Sequence, residues 1–338
     1  MLNPTLTVSR MEDVAREAGV ARVTVSRALS HPDKVSPGAR AAVQAAIERL
    51  GYVPNLTAGS LASKRSKIIG AIVPTLSNSW FADAMDGLAE VLGGADYQLM
   101  LGQSSYHTQQ EAGLVDAFLG RKVDGLILTG VDHAPSVRDR LRRSHLPVVE
   151  IWDLTDDPID TVVGFSNLLI GESVAGYLLA RGRSQIGFIG ADEVRSGKRL
   201  QGLRQHLQAR RLAVTQATLV KPPSTIEDGA KGLTELLTLN PQLQAVFCSN
   251  DTLGVGALFE CRRRGLRVPH DMAVVGFSDL AIAAACVPAL TTVRVRSREL
   301  GCHAGQLLLR RLAESHECGP DRARVIDLGF QIIERESA

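Results

Sequence analysis

MEDVAREAGVARVTVSRALS, residues 11–30, reads as two short helices joined by a glycine turn. Met11, Val14, Ala15 and Ala18 recur at helical spacing and give the first helix one apolar face. Ser9 and Glu12 have the spacing of a capping box at its start. Gly19 falls where the chain must turn sharply, which costs glycine little. Beyond it Val20 and Val25 can pack back on the first helix, leaving Arg22, Val23, Thr24, Ser26 and Arg27 to face a partner. That is the pattern of a helix-turn-helix, whose second helix enters the DNA major groove. A bland amphipathic hairpin is the alternative that this stretch alone leaves open.

Ser36-Pro37 then supplies an N-cap and a first-turn proline, and residues 40–50 read as a third helix ended by Gly51. Tyr52-Val53-Pro54-Asn55 and a small-residue segment over 57–63 follow, running into Lys64-Arg65-Ser66-Lys67. The runs DVAREAGVARVTVSRAL and VSPGARAAVQAAIERLGYVPN, followed by Leu61, resemble the headpiece and hinge of the lac/galactose repressor family. The resemblance continues almost to the end of the chain.

The 338 residues allow two or three domains with ample core. The formal net charge of +2 is unevenly spread. Residues 1–67 carry ten basic against five acidic side chains, and the remainder 28 against 31. A basic head on a mildly acidic body suits a polyanion binder that carries a sensor. The five cysteines (248, 261, 286, 302 and 318) show no CxxC or Cys/His metal spacing, so buried free thiols in a reducing compartment are expected. No signal-peptide apolar region and no run of 18 apolar residues occurs, which predicts a cytoplasmic protein with no membrane association.

From Ile68 onward short β-rich runs alternate with amphipathic segments. Strands are expected over 68–74, 98–102, 125–129, 147–151, 161–165, 185–190, 245–248 and 272–277. The alternation predicts βαβ units and parallel sheets covered on both faces. The resemblance adds the rest of the α/β architecture: a helix-turn-helix headpiece (1–56), a hinge helix and linker (57–67) and a periplasmic-binding-protein-like core of two lobes (68–338). It places 295–316 with the first lobe (68–165) and 320–335 with the second (166–293). Because no leucine heptad follows the last strand, the resemblance implies a homodimer.

On double-stranded operator DNA the family pattern implies that Arg22, Val23 and Arg27 reach base edges. Arginine pairs bidentately with guanine, and valine touches a thymine methyl. Thr24 and Ser26 would hold phosphates and so fix register. Ala21 stands where the family usually has serine, so the recognition helix lacks a good N-cap. A seven-residue hinge cannot hold a helix alone in water, so 57–63 should order only on DNA, with Leu61 as the minor-groove wedge. Gly59 stands where the family often has arginine.

Ligands of open α/β sheets bind beyond the carboxyl ends of strands. Those ends carry Thr75, Asn78, Trp80 and Phe81; Thr129 and His133; Arg195, Lys198 and Arg199; and Asn250, Asp251, Ser278 and Asp279. Asp153 and Asn167 could line the same cleft from the crossover. The family has an acid where Ser278 stands. Losing that carboxylate while keeping three cations suits an anionic effector, for which arginine is the better partner. VDGLILTGVDH, FCSNDTLGVGALFECRRRGLRVPHDMAVVGFSD and VIDLGF look most like the gluconate-utilisation repressors of this family. They imply a repressor of sugar-acid catabolism controlled by gluconate or a relative such as 2-ketogluconate. The alternative is a lac-type regulator answering to a neutral sugar or nucleoside-like effector.

No catalytic residue, metal site or cofactor is expected. Walker A, HExxH and GxSxG motifs are missing, and the eight histidines are scattered. Gly254-Val255-Gly256 belongs to a broken GxGxxG with Phe259 at the third glycine position, better explained by helix packing.

Overall fold

Helices α1 (Met11–Glu17), α2 (Arg22–Ser30) and α3 (Pro37–Leu50) form the N-terminal unit around Val14, Ala15, Val25, Val43, Ala46 and Tyr52. The computed structural model describes residues 9–53, 65–212, 216–314 and 324–338, and the chain divides into two units at Ser66. The expected hinge helix over 57–63, with Gly59, Leu61 and Lys64, and also Cys318, lie outside the described residues. Gly19 adopts φ 65°, the left-handed turn that the sequence called for. Ser36 caps α3 by accepting from the Ala39 amide, and Gly51 ends it at φ 57°. The cap of α1 differs from expectation. The Asp13 carboxylate accepts the Arg10 amide at 2.9 Å, while the Ser9 hydroxyl donates to the Leu50 carbonyl at 2.9 Å. Ser9 therefore joins the end of α3 to the start of α1 instead of forming a box with Glu12.

The second unit holds two six-stranded sheets. The first contains β1 (Ile68–Val73), β2 (Gln98–Gln103), β3 (Gly125–Thr129), β4 (Val148–Ile151) and β5 (Thr161–Gly164). Its helices are α4 (Ser79–Gly93), α5 (Thr108–Gly120) and α6 (Pro135–Ser144). After α7 (Asn167–Ala180) the second lobe runs β6 (Ile186–Ala191), α8 (Val194–Gln208), β7 (Ala217–Val220), α9 (Ile226–Leu239), β8 (Ala245–Cys248), α10 (Asp251–Arg263) and β9 (Ala273–Phe277). The short α11 (Ala281–Ala285), β10 (Thr291–Arg294), α12 (Ser297–Ala313), β11 (Arg324–Asp327) and β12 (Gln331–Ile333) complete the chain. Strand orders are β11-β5-β4-β3-β1-β2 and β12-β10-β9-β8-β6-β7. Every pairing is parallel except β10 with β12. Both lobes thus present their strand ends, the place for a ligand in such sheets, to one cleft.

The return to the second lobe begins later than the resemblance implied. Residues 324–327 extend the first sheet as β11, in register with β5, and only β12 joins the second. The open edge of β5 has backbone groups to satisfy, and β11 satisfies them. The Leu328 amide adds a 2.8 Å bond to the Gly164 carbonyl.

Glycines set the helix pairs. A Cβ on Gly301 of α12 would lie 1.9 Å from the Ala84 carbonyl oxygen of α4. One on Gly171 of α7 would lie 1.9 Å from the Arg199 carbonyl, and one on Gly256 of α10 would lie 2.0 Å from the Ile226 carbonyl. The Gly254–Gly256 fragment accordingly serves packing, as expected. Gly301→Ala should lower unfolding free energy by about 2–3 kcal/mol, because backbone and not a pliant side chain blocks the methyl. Urea unfolding measures it.

Candidate functional site

On α2 the outward residues of the sequence reading are indeed accessible. Arg22, Val23, Ser26 and Arg27 are exposed, Val23 to 54%, while Thr24 is half-buried and Val25 fully buried against α1. Ala21 occupies the N-cap and offers no side-chain acceptor. The Arg22 guanidinium lies 3.3 Å from the Glu12 carboxylate. Both side chains are mostly exposed, so the pair is worth little and leaves the arginine available to a stronger acceptor.

In the second unit the cleft between the lobes measures about 450 Å³, counting the part open to solvent. The first lobe contributes Asn78, Trp80, Phe81, Tyr106, Trp152 and Phe165. The second contributes Asn167, Glu193, Arg195, Arg199, Ser224, Ser249, Asn250 and Phe277. Rings run across it in sequence: Trp80 to Phe81 at 5.7 Å, Phe81 to Trp152 at 5.2 Å, Trp152 to Phe165 at 5.9 Å and Phe165 to Phe277 at 6.1 Å between centroids.

Arg199 is the most constrained cation of the chain's described part. It is 5% exposed, stacks 4.2 Å over Phe277, donates to the Asn167 side-chain oxygen, and reaches the Ser249 carbonyl at 3.3 Å. Burial pulls its guanidinium down to about 10, against the opposing pull of Glu193, so it stays charged at neutral pH. Its Nε and the Nε1 of Trp152 are buried with no hydrogen-bond partner among the described residues. Buried donors of this kind are costly unless something accepts from them. Arg195 crosses the cleft to lie 5.9 Å over Phe81, and pairs with Glu193 at 3.1 Å. Glu193 also accepts from the Ser196 amide at 2.7 Å, capping α8. Asn250 caps α10 and donates to the Ser224 hydroxyl at 2.7 Å. Tyr106 accepts from Asn78 at 3.4 Å, and burial pushes its phenol up to about 12.

Seven of the expected effector residues therefore line the cleft: Asn78, Trp80, Phe81, Asn167, Arg195, Arg199 and Asn250. The others do not. The Thr75 hydroxyl accepts from the Ser77 amide, and Thr129 donates to the Ile72 carbonyl at 3.0 Å. His133 lies inside the first lobe, 2.8 Å from Glu111 and 3.5 Å from Glu150. Burial disfavours its imidazolium, but the Glu111 carboxylate outweighs that and raises its pKa. Lys198 reaches from α8 to Asp153 at 2.6 Å and Asp132 at 3.1 Å, so its charge and that of Asp153 are spent on joining the lobes. Asp279 is held by Arg335 at 2.5 Å and Arg294 at 2.6 Å. Ser278 is buried at φ 109° with its hydroxyl unbonded among the described residues, beside the cleft residue Phe277.

The N-terminal part of the chain, residues 7–55, matches the family model for bacterial regulatory proteins of the lacI family, and residues 175–338 match that for a periplasmic binding protein-like domain. The HTH-type transcriptional regulator GntR of Pseudomonas aeruginosa is 35% identical over 97% of this chain and 95% of its own length. That of Escherichia coli K12 is 34% identical over 95% and 96%. The chain belongs to the lacI family of bacterial regulatory proteins. It is a DNA-binding transcriptional regulator, not an enzyme. A lacI-family transcriptional regulator of Silicibacter pomeroyi has the same fold, with TM-score 0.90 and 29% identity over 97% of this chain and 99% of that one. Among the described residues no helix of the regulator is long and apolar enough to cross a membrane, and no cluster of His, Cys, Asp and Glu could hold a metal ion.

Sequence reasoning passed over Tyr106, Trp152, Phe165, Glu193, Ser224, Ser249 and Phe277. Glu193 and Trp152 had a usable signal: each lies within two residues of the end of a strand whose other followers, Arg195 and Asp153, were singled out. Asp251, at the first turn of α10, is a buried carboxyl group outside the cleft lining. Its carboxylate accepts from Thr292 at 2.5 Å and from the Leu280 amide at 2.7 Å. Burial pushes its pKa up to about 7. The unfolded chain loses that proton near ~4, so the folded regulator binds more protons in between. Stability due to this group is thus lost as pH rises from about 4 to about 7. Asp251→Asn should remove that loss, gaining on the order of a few kcal/mol relative to wild type between those limits. Urea unfolding at pH 4.5 and 7.5 checks it.

Proposed function

We propose that the regulator is a homodimer whose affinity for a pseudo-palindromic operator is set by a sugar acid, gluconate or a relative such as 2-ketogluconate, held between the lobes. The observation that carries the effector is the pair Arg195 and Arg199 in a cleft with a single carboxylate, Glu193. The unbonded Nε of the buried Arg199 adds a donor that a ligand carboxylate would satisfy. The wording shared with gluconate-utilisation repressors supports the same choice. Asn78, Asn250 and the Trp152 indole are placed to take hydroxyl groups, and the aromatic wall suits a sugar's apolar face.

On DNA, Arg22, Val23 and Arg27 read base edges while Thr24 and Ser26 hold phosphates. Leu61 acts as the minor-groove wedge. Arg22→Ala should flatten the ranking of operator variants by about 1–3 kcal/mol at one base position, read by competition binding.

Calorimetric titration with D-gluconate, 2-keto-D-gluconate, neutral hexoses and nucleosides, repeated on Arg195→Ala, tests the effector. Hexonates should bind best, and the variant should weaken them selectively. Neutral sugars or nucleosides outcompeting every acid would overturn the reading in favour of an uncharged effector.

A further inference from the structure

We propose that Glu193 sets the charge that the cleft accepts, so that it takes sugar acids carrying one negative charge and rejects those carrying two. This rests on the sugar-acid reading and names the ligand class within it.

The charged groups lining the cleft are Arg195, Arg199 and Glu193. Glu193 stands 3.1 Å from the Arg195 guanidinium and 3.6 Å from that of Arg199, between the two. It is also fixed in place, because its carboxylate accepts from the backbone amides of both Ser196 and Arg195. It cannot swing away without uncapping α8. The cleft therefore offers one uncompensated positive charge, which one ligand carboxylate neutralises.

A second carboxylate, or a phosphate, finds no further cation. Lys198, one residue before Arg199, is already bound to Asp153 and Asp132. That trio carries a net negative charge and adds to the repulsion. His133 is turned into the first lobe against Glu111. Two like charges roughly 6 Å apart in a partly desolvated cleft cost enough to lower affinity by about ten- to a hundredfold. The family's usual acid at position 278 is serine here. Glu193 thus supplies the carboxylate of the cleft from the carboxyl end of β6 and not from that of β9.

Calorimetry on the full-length chain at pH 7 with D-gluconate, one charge, and D-glucarate, two charges, tests this. Wild type should bind gluconate at least about tenfold more tightly than glucarate. Glu193→Gln keeps an oxygen to cap α8, and should shrink that ratio at least fivefold by gaining on glucarate. Asp132→Asn, at a half-exposed site where folding is not at stake, loosens Lys198 and should shift the ratio the same way by a smaller factor. Equal binding of the two acids by wild type overturns the proposal and leaves the sugar-acid reading intact. So does a ratio unmoved by both substitutions. Binding of neither acid overturns both.

Discussion

Removing residues 1–66 should abolish preference for any palindromic duplex, a loss of at least about a thousandfold, and leave gluconate binding within about twofold of wild type. The two units have separate cores. Val14, Val25, Val43 and Tyr52 hold the first, and the sheets of the second carry their own buried clusters. The truncated chain therefore keeps everything that builds the cleft. What it loses is α2, with the exposed Arg22, Val23, Ser26 and Arg27, and all of the basic excess that draws a polyanion, since residues 67–338 carry 29 basic against 31 acidic side chains. Electrophoretic mobility shift on duplex enriched by the full-length chain from a random pool reads the first outcome, and calorimetry the second. Loss of gluconate binding together with DNA binding would contradict two separable functions.

Arg199→Met should abolish detectable gluconate binding, a loss of about a hundredfold or more, with folding retained. A buried, hydrogen-bonded cation whose partner is removed costs about 2–5 kcal/mol. The methionine fills much of the same volume over Phe277 and asks for no acceptor. Part of the cost falls on Asn167 and Glu193, which lose a donor and a counter-charge. Arg199→Lys should fail nearly as badly, because an ammonium cannot present the planar fork. Unchanged gluconate affinity in either variant would remove Arg199 from the effector contacts. Thermal unfolding of both variants shows whether a loss is local.

The headpiece was legible because its signals are local. Gly19, Ser36-Pro37 and Gly51 each act within four residues of their own position, and each does what its neighbours implied. Ser9 misled because its partner is Leu50, across the three-helix unit, and sequence spacing does not record that. The parallel sheets were legible from alternation. Strands β7, β10, β11 and β12 were not, since two of them pair only after the chain has crossed between lobes.

For the cleft, strand ends located the right loops but not the direction of each side chain. His133 and Asp279 sit at such ends, yet charges distant in sequence, Glu111 for one and Arg335 for the other, draw them away. Lys198 and Arg199 are neighbours on one helix and so point apart by about 100°. One bridges the lobes and the other faces the ligand space. Counting three free cations from sequence therefore overstated the positive charge. Glu193 offsets one of the two arginines and Lys198 is offset by its own two acids, which leaves one positive charge for a single ligand carboxylate.

The most direct test of a sugar-acid sensor coupled to a DNA reader is operator affinity measured with and without saturating D-gluconate, on wild type and on Arg199→Met. In wild type, gluconate should change the dissociation constant for the enriched palindrome by about five- to a hundredfold, and in Arg199→Met it should change nothing. An operator affinity that gluconate leaves untouched in wild type, or shifts equally in both proteins, would contradict it.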